Sequence, residues 1–482
     1  MEKNKGALRG SSFTLTGTLI VTAFSLAAGL LLPVLKAAAQ EAAPMASADS
    51  QMKLMQPMGP GQATPPITIT LQDALERARK NDPTYLAAVL DAKSSHEDRI
   101  QARNEMLPTI TATTQYLGTQ GNGGLISDGR FVTNDGIHVY RAWGVYQQNL
   151  SPALLMGTGY KRAKAAEALA NAKSEIARRG LTAAVSKTYY DLVVAQRKYA
   201  TAQQALDQAK HFLEISQSGE NQGQSAHSDT LKAEIQQRIQ SQAFQEARLA
   251  MEDTRLKLAV MIFPTFNANF TVVDDLDSAQ PLPAFPEVQA MAEKQNPDMR
   301  VAIETARQAD LDVTSAKTAF LPTLTVETDY GMEANCFAVR CARASFPEIG
   351  VVPNIGYFLT AVLNIPVWDW GTLRSKLHQA QYRQQAAKSL LSQEQRLAVS
   401  ELYSAYNEAV VAHASVEDTR RTAELAAESL RLVNVRYQGG ASPATEVVDA
   451  ENTALAAHNG YIDAQARYRA ALATLQTITG SF

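Results

Sequence analysis

The sequence predicts a mainly α-helical fold with a membrane β component, built as two tandem copies of a long helical hairpin and a strand hairpin. Three observations carry this prediction. The 482-residue chain contains two copies of the same short sequence motifs. It also contains two long stretches of helix-favouring residues. Short segments between them show the alternation of polar and apolar residues that is typical of β-strands. We expect the four strands of each chain to join those of two further chains in a trimeric, twelve-stranded β-barrel.

The first 39 residues are predicted to be a cleaved signal peptide. A basic start and an apolar run precede the small residues Ala37, Ala38 and Ala39, which are suited to cleavage before Gln40. The apolar run is also long enough to cross a bilayer, so an uncleaved anchor stays open as the alternative. Residues 40–66, rich in Ala, Met, Gln and Pro, are expected to form a disordered lead-in.

The remaining chain contains two copies of the same series of sequence motifs. Asn81-Asp82-Pro83 corresponds to Gln295-Asn296-Pro297, which lies 214 residues later. Leu107-Pro108-Thr109 corresponds to Leu321-Pro322-Thr323 at the same spacing. A constant spacing between separate landmarks indicates an internal duplication. We therefore divide the chain into a first repeat (67–274), a linker (275–284) and a second repeat (285–482).

Each repeat is predicted to open with a short helix, Leu71–Lys80 or Phe285–Lys294. A Pro then begins a second helix, a position that proline favours. That helix ends before the Leu-Pro-Thr motif, because the residue before a proline is pushed towards extended geometry.

A strand hairpin follows in each repeat. In the second copy a polar set alternates with the apolar residues Leu324, Val326 and Tyr330. We predict that the polar set faces a barrel lumen and the apolar set faces lipid; it comprises Thr323, Thr325, Glu327 and Asp329. A Gly-rich loop (118–136; 331–353) and a second extended stretch (140–150; 354–365) complete each hairpin. An ordinary hairpin on a soluble core is the alternative, but isolated hairpins are marginally stable in water.

Two very long helical hairpins complete the repeats. Residues 160–217 and 372–437 contain no Pro and a single Gly, Gly180, so each is predicted to form a helix roughly 90–100 Å long. Each turns at a Gly-Ser segment and returns through residues 225–262 or 442–478. Helices of this length need lateral partners, as in a coiled coil. A solvated coiled-coil rod would account for these helices but not for the strand insertions.

From about Thr68 to the C-terminus this layout resembles the TolC-like outer-membrane efflux protein family. The most specific segment is residues 436–450, RYQGGASPATEVVDA. It is similar to the family pattern R-Y-x-x-G-x-x-S-x-x-D-V-L-D-A, with Glu446 in place of the first Asp and Val448 in place of the Leu. Ser442 lies earlier than the pattern places its serine.

The resemblance implies a homotrimer in the outer membrane that extends into the periplasm. Members of the family act as the passive exit duct of a tripartite efflux or type I secretion system, together with a periplasmic adaptor and an inner-membrane pump. Their coil tips close the periplasmic entrance. The resemblance places an acidic ring at Glu446 and Asp449 and a latch between Tyr437 and Asp229, with Ser442 where the family has a basic latch residue. The same acidic residues also suit helix capping, and Tyr437 also suits packing at the turn.

Other function classes find little support. Signatures of metalloproteases, α/β-hydrolases and nucleotide-binding enzymes do not occur in the sequence, so we expect no enzyme, cofactor or metal site. The net charge of −3 gives no reason to expect a nucleic-acid partner. The remaining alternative is a periplasmic adaptor or a structural coiled-coil protein. Export would permit, without requiring, a disulfide between Cys336 and Cys341.

Overall fold

The computed structural model describes residues 67–118, 138–223, 226–264, 269–278, 281–334, 336–338, 340–343 and 351–480. The predicted signal peptide and lead-in lie outside the described residues, as does most of the first Gly-rich loop.

Both halves of the chain follow the same order of short helices, strand hairpin and long helical hairpin. In chain order the first half contains β1 (Ile67–Ile69), α1 (Leu71–Asn81), α2 (Pro83–Asn104), β2 (Thr109–Gly118), β3 (His138–Leu150), α3 (Pro152–Leu155), α4 (Thr158–Asn221) and α5 (His227–Ile262). The second half contains β4 (Phe270–Val272), α6 (Phe285–Gln295), α7 (Pro297–Thr318), β5 (Thr323–Ala334), β6 (Arg340–Arg343), β7 (Val351–Pro353), β8 (Ile355–Asn364), α8 (Thr372–Gln438) and α9 (Ala444–Thr479).

The helix boundaries follow local chemistry that the sequence displays. Thr70 caps α1 through a reciprocal pair of hydrogen bonds with Asp73. Asp82 and Asn296 cap α2 and α7, each directly before the proline that begins the helix. The long helices α4 and α8 run for 64 and 67 residues, which corresponds to about 100 Å each.

Three features differ from the sequence prediction. Strand β5 continues through Gly331 to Ala334, where we expected a loop, because its residues keep pairing with β3 and β8. A small antiparallel pair, β6 with β7, occupies part of that same predicted loop. A parallel pair of three-residue strands, β1 with β4, joins the starts of the two halves. Strands this short carry too few residues for a recognisable alternation.

The main sheet is antiparallel in the order β2-β3-β5-β8. The contact between β3 and β5 joins the two repeats, with Leu150 opposite Leu324 and Tyr140 opposite Ala334. Within the described residues the outer edges of β2 and β8 carry no further strand. The sheet therefore ends in two open edges, one from each repeat.

The largest cluster of buried side chains lies where α1 and the β1–β4 pair pack against the middle of α4 and the C-terminal end of α5. Val185, Tyr189 and Leu258 are almost fully buried there, and each such side chain stabilises the fold by roughly 1.5–3 kcal/mol. The hydroxyl of Tyr189 donates to the carbonyl oxygens of Val273 (2.7 Å) and Ile69 (3.2 Å). The small sheet is thereby fixed to helix α4.

A buried arginine locks the two repeats together near this core. Arg179 of α4 donates to the backbone carbonyls of Thr477 and Gln295, each at 3.0 Å, and to the Glu175 carboxylate at 2.7 Å. Arg178 and Arg179 together hold the pKa of Glu175 at about 2, with the Arg178 hydrogen bond the largest cause. One side chain of the first repeat thus satisfies carbonyls at the ends of two helices of the second repeat.

None of the helices that the structure describes carries an apolar stretch long enough to cross a bilayer.

Candidate gate and channel wall

The two long hairpins turn at equivalent glycines. Gly223 (φ +73°) and Gly440 (φ +68°) both adopt the left-handed conformation that ends helices α4 and α8. At the second turn the Gly440 amide donates to the Tyr437 carbonyl (2.9 Å) and the Ala441 amide donates to the Arg436 carbonyl (2.8 Å). This is the Schellman arrangement, which satisfies carbonyls that a helix end leaves free.

A pair of ionisable side chains bridges each turn. Glu220 and His227 lie 2.8 Å apart across the first turn, and Arg436 and Glu446 lie 2.9 Å apart across the second. Hydrogen bonds from Thr230 and then His227 lower the pKa of Glu220. Sequence analysis missed Glu220 and His227, because the two residues are seven positions apart in the sequence and come into contact only through the fold of the turn.

Apolar side chains from both hairpins meet just above the turns. Phe212 and Ala233 come from the first hairpin, and Val433, Ala444 and Val447 come from the second; all five are buried. We call these five residues the tip cluster. It packs the two hairpins of one chain against each other close to their ends.

Tyr437 connects the hairpins at the edge of the tip cluster. Its ring lies 5.3 Å from that of Phe212, and its hydroxyl lies 3.1 Å from Ser216 Oγ. Ser216 is itself buried. The bond therefore links Tyr437 of α8 to a buried polar side chain of α4.

Tyr437 and Asp229, the predicted latch pair, have different hydrogen-bond and ion-pair partners in the described part of the chain. Among the described residues no hydrogen bond links Tyr437 to Asp229. The Tyr437 ring packs at a tilt against Phe212 and its hydroxyl reaches Ser216 of α4, whereas the Asp229 carboxylate lies 3.9 Å from Lys232 on its own helix α5.

The two predicted gate carboxylates have different surroundings. Glu446 lies in the first turn of α9, where it pairs with Arg436 and accepts a hydrogen bond from Ser442 Oγ. Asp449 is exposed one turn further on, and its side chain has no ion-pair partner within the described part of the chain. Glu446 thus lies at the helix N-terminus, where the helix dipole favours a negative charge, and has its own counter-ion, while the charge of Asp449 faces solvent.

The predicted lumen set shares one face of the main sheet. Thr323, Thr325, Glu327 and Asp329 alternate along β5, and the β3 residues opposite the middle two are Asn149 and Gln147. Two further charged residues on this face escaped the sequence analysis.

These residues are Arg141 and Glu333, directly opposite each other on β3 and β5. Arg141 Nη2 lies 2.7 Å from Glu333 Oε1, and Arg141 Nη1 lies 3.3 Å from Gln115 Oε1 of β2. The pairing register shows this contact, whereas the separation of 192 residues hides it in the sequence.

Cys336, in the short segment between β5 and β6, is disulfide-bonded. The only other cysteine of the chain is Cys341.

A half-buried carboxyl lies further along the helical hairpins. Glu451 of α9 lines a cavity of about 400 Å³ between helices α4, α5, α8 and α9. Burial raises its pKa to about 7. The side chain of Gln240, which lines the same cavity, is buried and its Oε1 has no hydrogen-bond partner. Sequence analysis did not single out either residue, since only packing of the four helices buries them.

Comparison with known proteins gives consistent matches. The family model "Outer membrane efflux protein" matches residues 289–481. Protein CyaE of Bordetella pertussis is 22% identical over 430 residues, covering 85% of this chain and 86% of that protein.

Solved structures match over a similar span. The open state of the Neisseria gonorrhoeae MtrE outer-membrane channel superposes with a TM-score of 0.69 at 22% identity, covering 85% of this chain and 88% of that one. The outer-membrane protein VceC of Vibrio cholerae superposes with a TM-score of 0.71 at 16% identity, covering 85% and 96%. The predicted mainly helical fold with few strands and the resemblance to TolC-like outer-membrane efflux proteins are confirmed, whereas closure of a trimeric barrel stays a prediction.

Proposed function

We propose that this chain is one subunit of a homotrimeric outer-membrane channel, the passive exit duct of a tripartite efflux or type I secretion system. The channel is gated at its periplasmic coil tips and catalyses no reaction. Its partners are a periplasmic adaptor and an inner-membrane pump. The observation that carries this proposal is a two-faced sheet with open edges mounted on helical hairpins, each with one helix about 100 Å long.

The open edges call for further copies of the chain. An unpaired edge is prohibitive in lipid, where backbone groups have no water to bind. The edge strands β2 and β8 are each ten residues long and come from different repeats. Pairing β8 of one copy with β2 of the next repeats the contact that β3 and β5 make within the chain. Three copies then close twelve strands, an even number within the range of outer-membrane barrels.

The two faces of the sheet suit such a barrel. The face with Glu327, Asp329 and the Arg141–Glu333 pair lines the aqueous lumen. The opposite face presents Ile110, Tyr330 and Leu359, which are 78%, 63% and 67% exposed in the single chain. These apolar side chains contact lipid. The hairpins α4–α5 and α8–α9 continue the wall of the duct into the periplasm.

The entrance lies at the hairpin turns. The tip cluster and the Tyr437–Ser216 bond hold the two hairpins of each subunit together, and opening separates them. Three copies of Glu446 and Asp449 form an acidic ring that favours cations. The assignment of Asp229 to the latch stays a prediction.

The decisive experiment measures oligomeric mass and conductance on one detergent sample. The mature protein is purified, its mass is taken by light scattering, and the same fraction is added to a planar bilayer. A trimer that gives small, cation-selective steps supports the duct and its acidic entrance. A monomer or dimer that never inserts overturns the proposal and leaves an adaptor or coiled-coil rod.

A further inference from the structure

The cavity beside Glu451 presents two hydrogen-bond acceptors that have no donor within the described part of the chain. The first is the amide oxygen of Gln240, a residue that is 5% exposed. Gln240 Nε2 donates to Asn452 Oδ1 at 3.5 Å, and Gln236 Nε2 donates to the same oxygen at 3.0 Å. These bonds set the orientation of the Gln240 amide and leave its Oε1 for another donor. Buried acceptors are nearly always paired in folded proteins, so this atom points to a donor from outside the chain.

The carboxyl of Glu451 is the second acceptor. Its side chain has no hydrogen-bond or ion-pair partner among the described residues, and burial is the cause that raises its pKa. Arg431 of α8 also lines the cavity, but its guanidinium pairs with Glu428 at 2.7 Å. The cavity therefore holds a carboxylate without a counter-ion, which is costly to remove from water.

The size and the lining of the cavity indicate a small organic cation. Its volume of about 400 Å³ falls in the range of small-molecule sites and far exceeds the share of about 30 Å³ that one water molecule occupies. Apolar side chains of α8 and α9 form part of the wall, among them Ala427, Leu430 and Leu455. A water molecule can donate to both acceptors but leaves the charge of Glu451 uncompensated. An ammonium group supplies N–H donors and a positive charge together.

The two acceptors lie on different helical hairpins, close to the tips. Gln240 follows Ala233 of the tip cluster by about two turns of α5, and Glu451 follows Val447 by about one turn of α9. Gln240 thus belongs to the first hairpin and Glu451 to the second. A ligand that binds both side chains stabilises only the arrangement in which the hairpins are packed together.

We propose that this cavity binds a protonated primary amine through Gln240 Oε1 and the Glu451 carboxylate, and that the bound amine holds the hairpin tips together. The carbon chain of the amine packs against the alanine and leucine side chains of the wall. The described lining residues do not include the entrance carboxylates Glu446 and Asp449, so the site is separate from the acidic ring. The effect on closure rests on the proposed function, whereas binding requires only the packed hairpins.

Binding should weaken at acid pH, because protonation of Glu451 removes the charge that attracts the amine. Burial raises the pKa of Glu451 to about 7, so the carboxylate prevails at pH 8 and the neutral acid at pH 6. The affinity at pH 6 should be about tenfold lower than at pH 8. The other charged or titratable groups among the described lining residues are Arg431 and His458. Protonated His458 would also repel the amine, so the pH dependence is measured in His458→Gln as well. Its loss in that variant would contradict the role of Glu451.

The probe is butylammonium, and its matched control is butyltrimethylammonium, which carries the same charge and carbon chain but no N–H donor. Each is titrated at constant ionic strength into the mature protein in detergent, and the melting temperature is followed by circular dichroism. Butylammonium should raise the melting temperature at pH 8 in a saturable manner, and butyltrimethylammonium should not.

Three variants test the assignment of the site. Glu451→Gln and Gln240→Leu should each weaken binding by about tenfold or more, because each removes one acceptor. Glu234→Gln should leave binding unchanged, since Glu234 is paired with Arg238 on the exposed side of α5. Glu451→Gln keeps the size of the side chain, so a loss of binding in this variant is not a loss of fold. An equal shift in Glu451→Gln, or an equal shift with butyltrimethylammonium, overturns the site.

Conductance separates the closure from the binding and from the proposed function. In a planar bilayer, butylammonium should lower the fraction of time that native channels conduct, and Glu451→Gln should be insensitive to it. Binding in detergent without this change in native channels overturns the effect on closure alone. Protein that binds butylammonium but neither forms trimers nor conducts overturns the proposed function, and the closure with it, while the binding site stands.

Discussion

The hydroxyl of Tyr437 lies 3.1 Å from Ser216 Oγ, and this contact ties the second helical hairpin to the first just above their turns. The tyrosine ring also packs on Phe212 at 5.3 Å. The two interactions are separable, because the hydroxyl can be removed while the ring stays. Separation of the hairpin ends must break both.

Tyr437→Phe should loosen the tips while keeping the tip cluster packed. Loss of one hydrogen bond to a buried hydroxyl costs about 1 kcal/mol, which is roughly a fivefold shift towards separated tips. The measurement is closed-state conductance in a planar bilayer, together with sensitivity of cells to large antibiotics. Ser216→Ala should give the same effect, and the double variant should be no worse than either single one. Unchanged conductance in both singles would remove this bond from the gate.

Asp449→Lys should change ion selectivity more than Glu446→Lys does. Glu446 is already paired with Arg436 at 2.9 Å, so its charge contributes less to the field at the entrance than that of exposed Asp449. Reversal potentials in a salt gradient provide the measurement, and a shift towards anion preference is expected. Equal selectivity of both variants and the native channel would leave the two carboxylates as helix caps.

Arg179→Met should destabilise the joint between the repeats by roughly 3 kcal/mol, because two partly buried carbonyls lose their charged donor. Arg178→Met is the matched control, since Arg178 contacts Glu175 but not those carbonyls. Thermal unfolding in detergent, followed by circular dichroism, measures the difference. An equal loss in both variants would mean that the Glu175 pair, and not the carbonyl contacts, holds the joint.

The Glu175 pairing also predicts an acid dependence. Its folded pKa of about 2 lies below the ordinary value of 4.5. The unfolded chain therefore binds the proton more readily, so this contribution to stability is present above pH 4.5 and is lost as the pH falls towards 2. Glu175→Gln should flatten the dependence of melting temperature on pH in that window. If the melting temperature of Glu175→Gln depends on pH as steeply as that of the native protein, Glu175 is not the source of this acid dependence.

Glu451 should act in the opposite direction. Burial raises its pKa from 4.5 to about 7, so the folded chain binds the proton more readily between those values and loses stability as the pH rises through them. Glu451→Gln should stabilise the protein at pH 8 and change little at pH 4. Glu234→Gln, at a more exposed position on α5 paired with Arg238, is the control. Equal melting temperatures of Glu451→Gln and Glu234→Gln at pH 8 would show that the ionised Glu451 carboxylate does not destabilise the fold.

The duplicated sequence by itself determined most of the architecture. Three sequence patterns predict the helices, the four main strands and the shared polar face, because each reflects the conformational preference of residues close together in the chain. These patterns are the repeated Leu-Pro-Thr motifs, the proline-free stretches and the alternation after Thr323. Gly223 and Gly440 likewise predict both turns, because the positive φ that ends each helix is readily adopted by glycine.

Only the tertiary structure decided which side chains meet. Tyr437 pairs with Ser216 because its ring packs at a tilt against Phe212 and sets the direction of its hydroxyl. Arg141 reaches Glu333 because the β3–β5 register places them opposite each other. Burial likewise separates Glu451 from the exposed glutamates of the same helices. These outcomes depend on residues tens to hundreds of positions apart, whose distances arise only when the two repeats pack together.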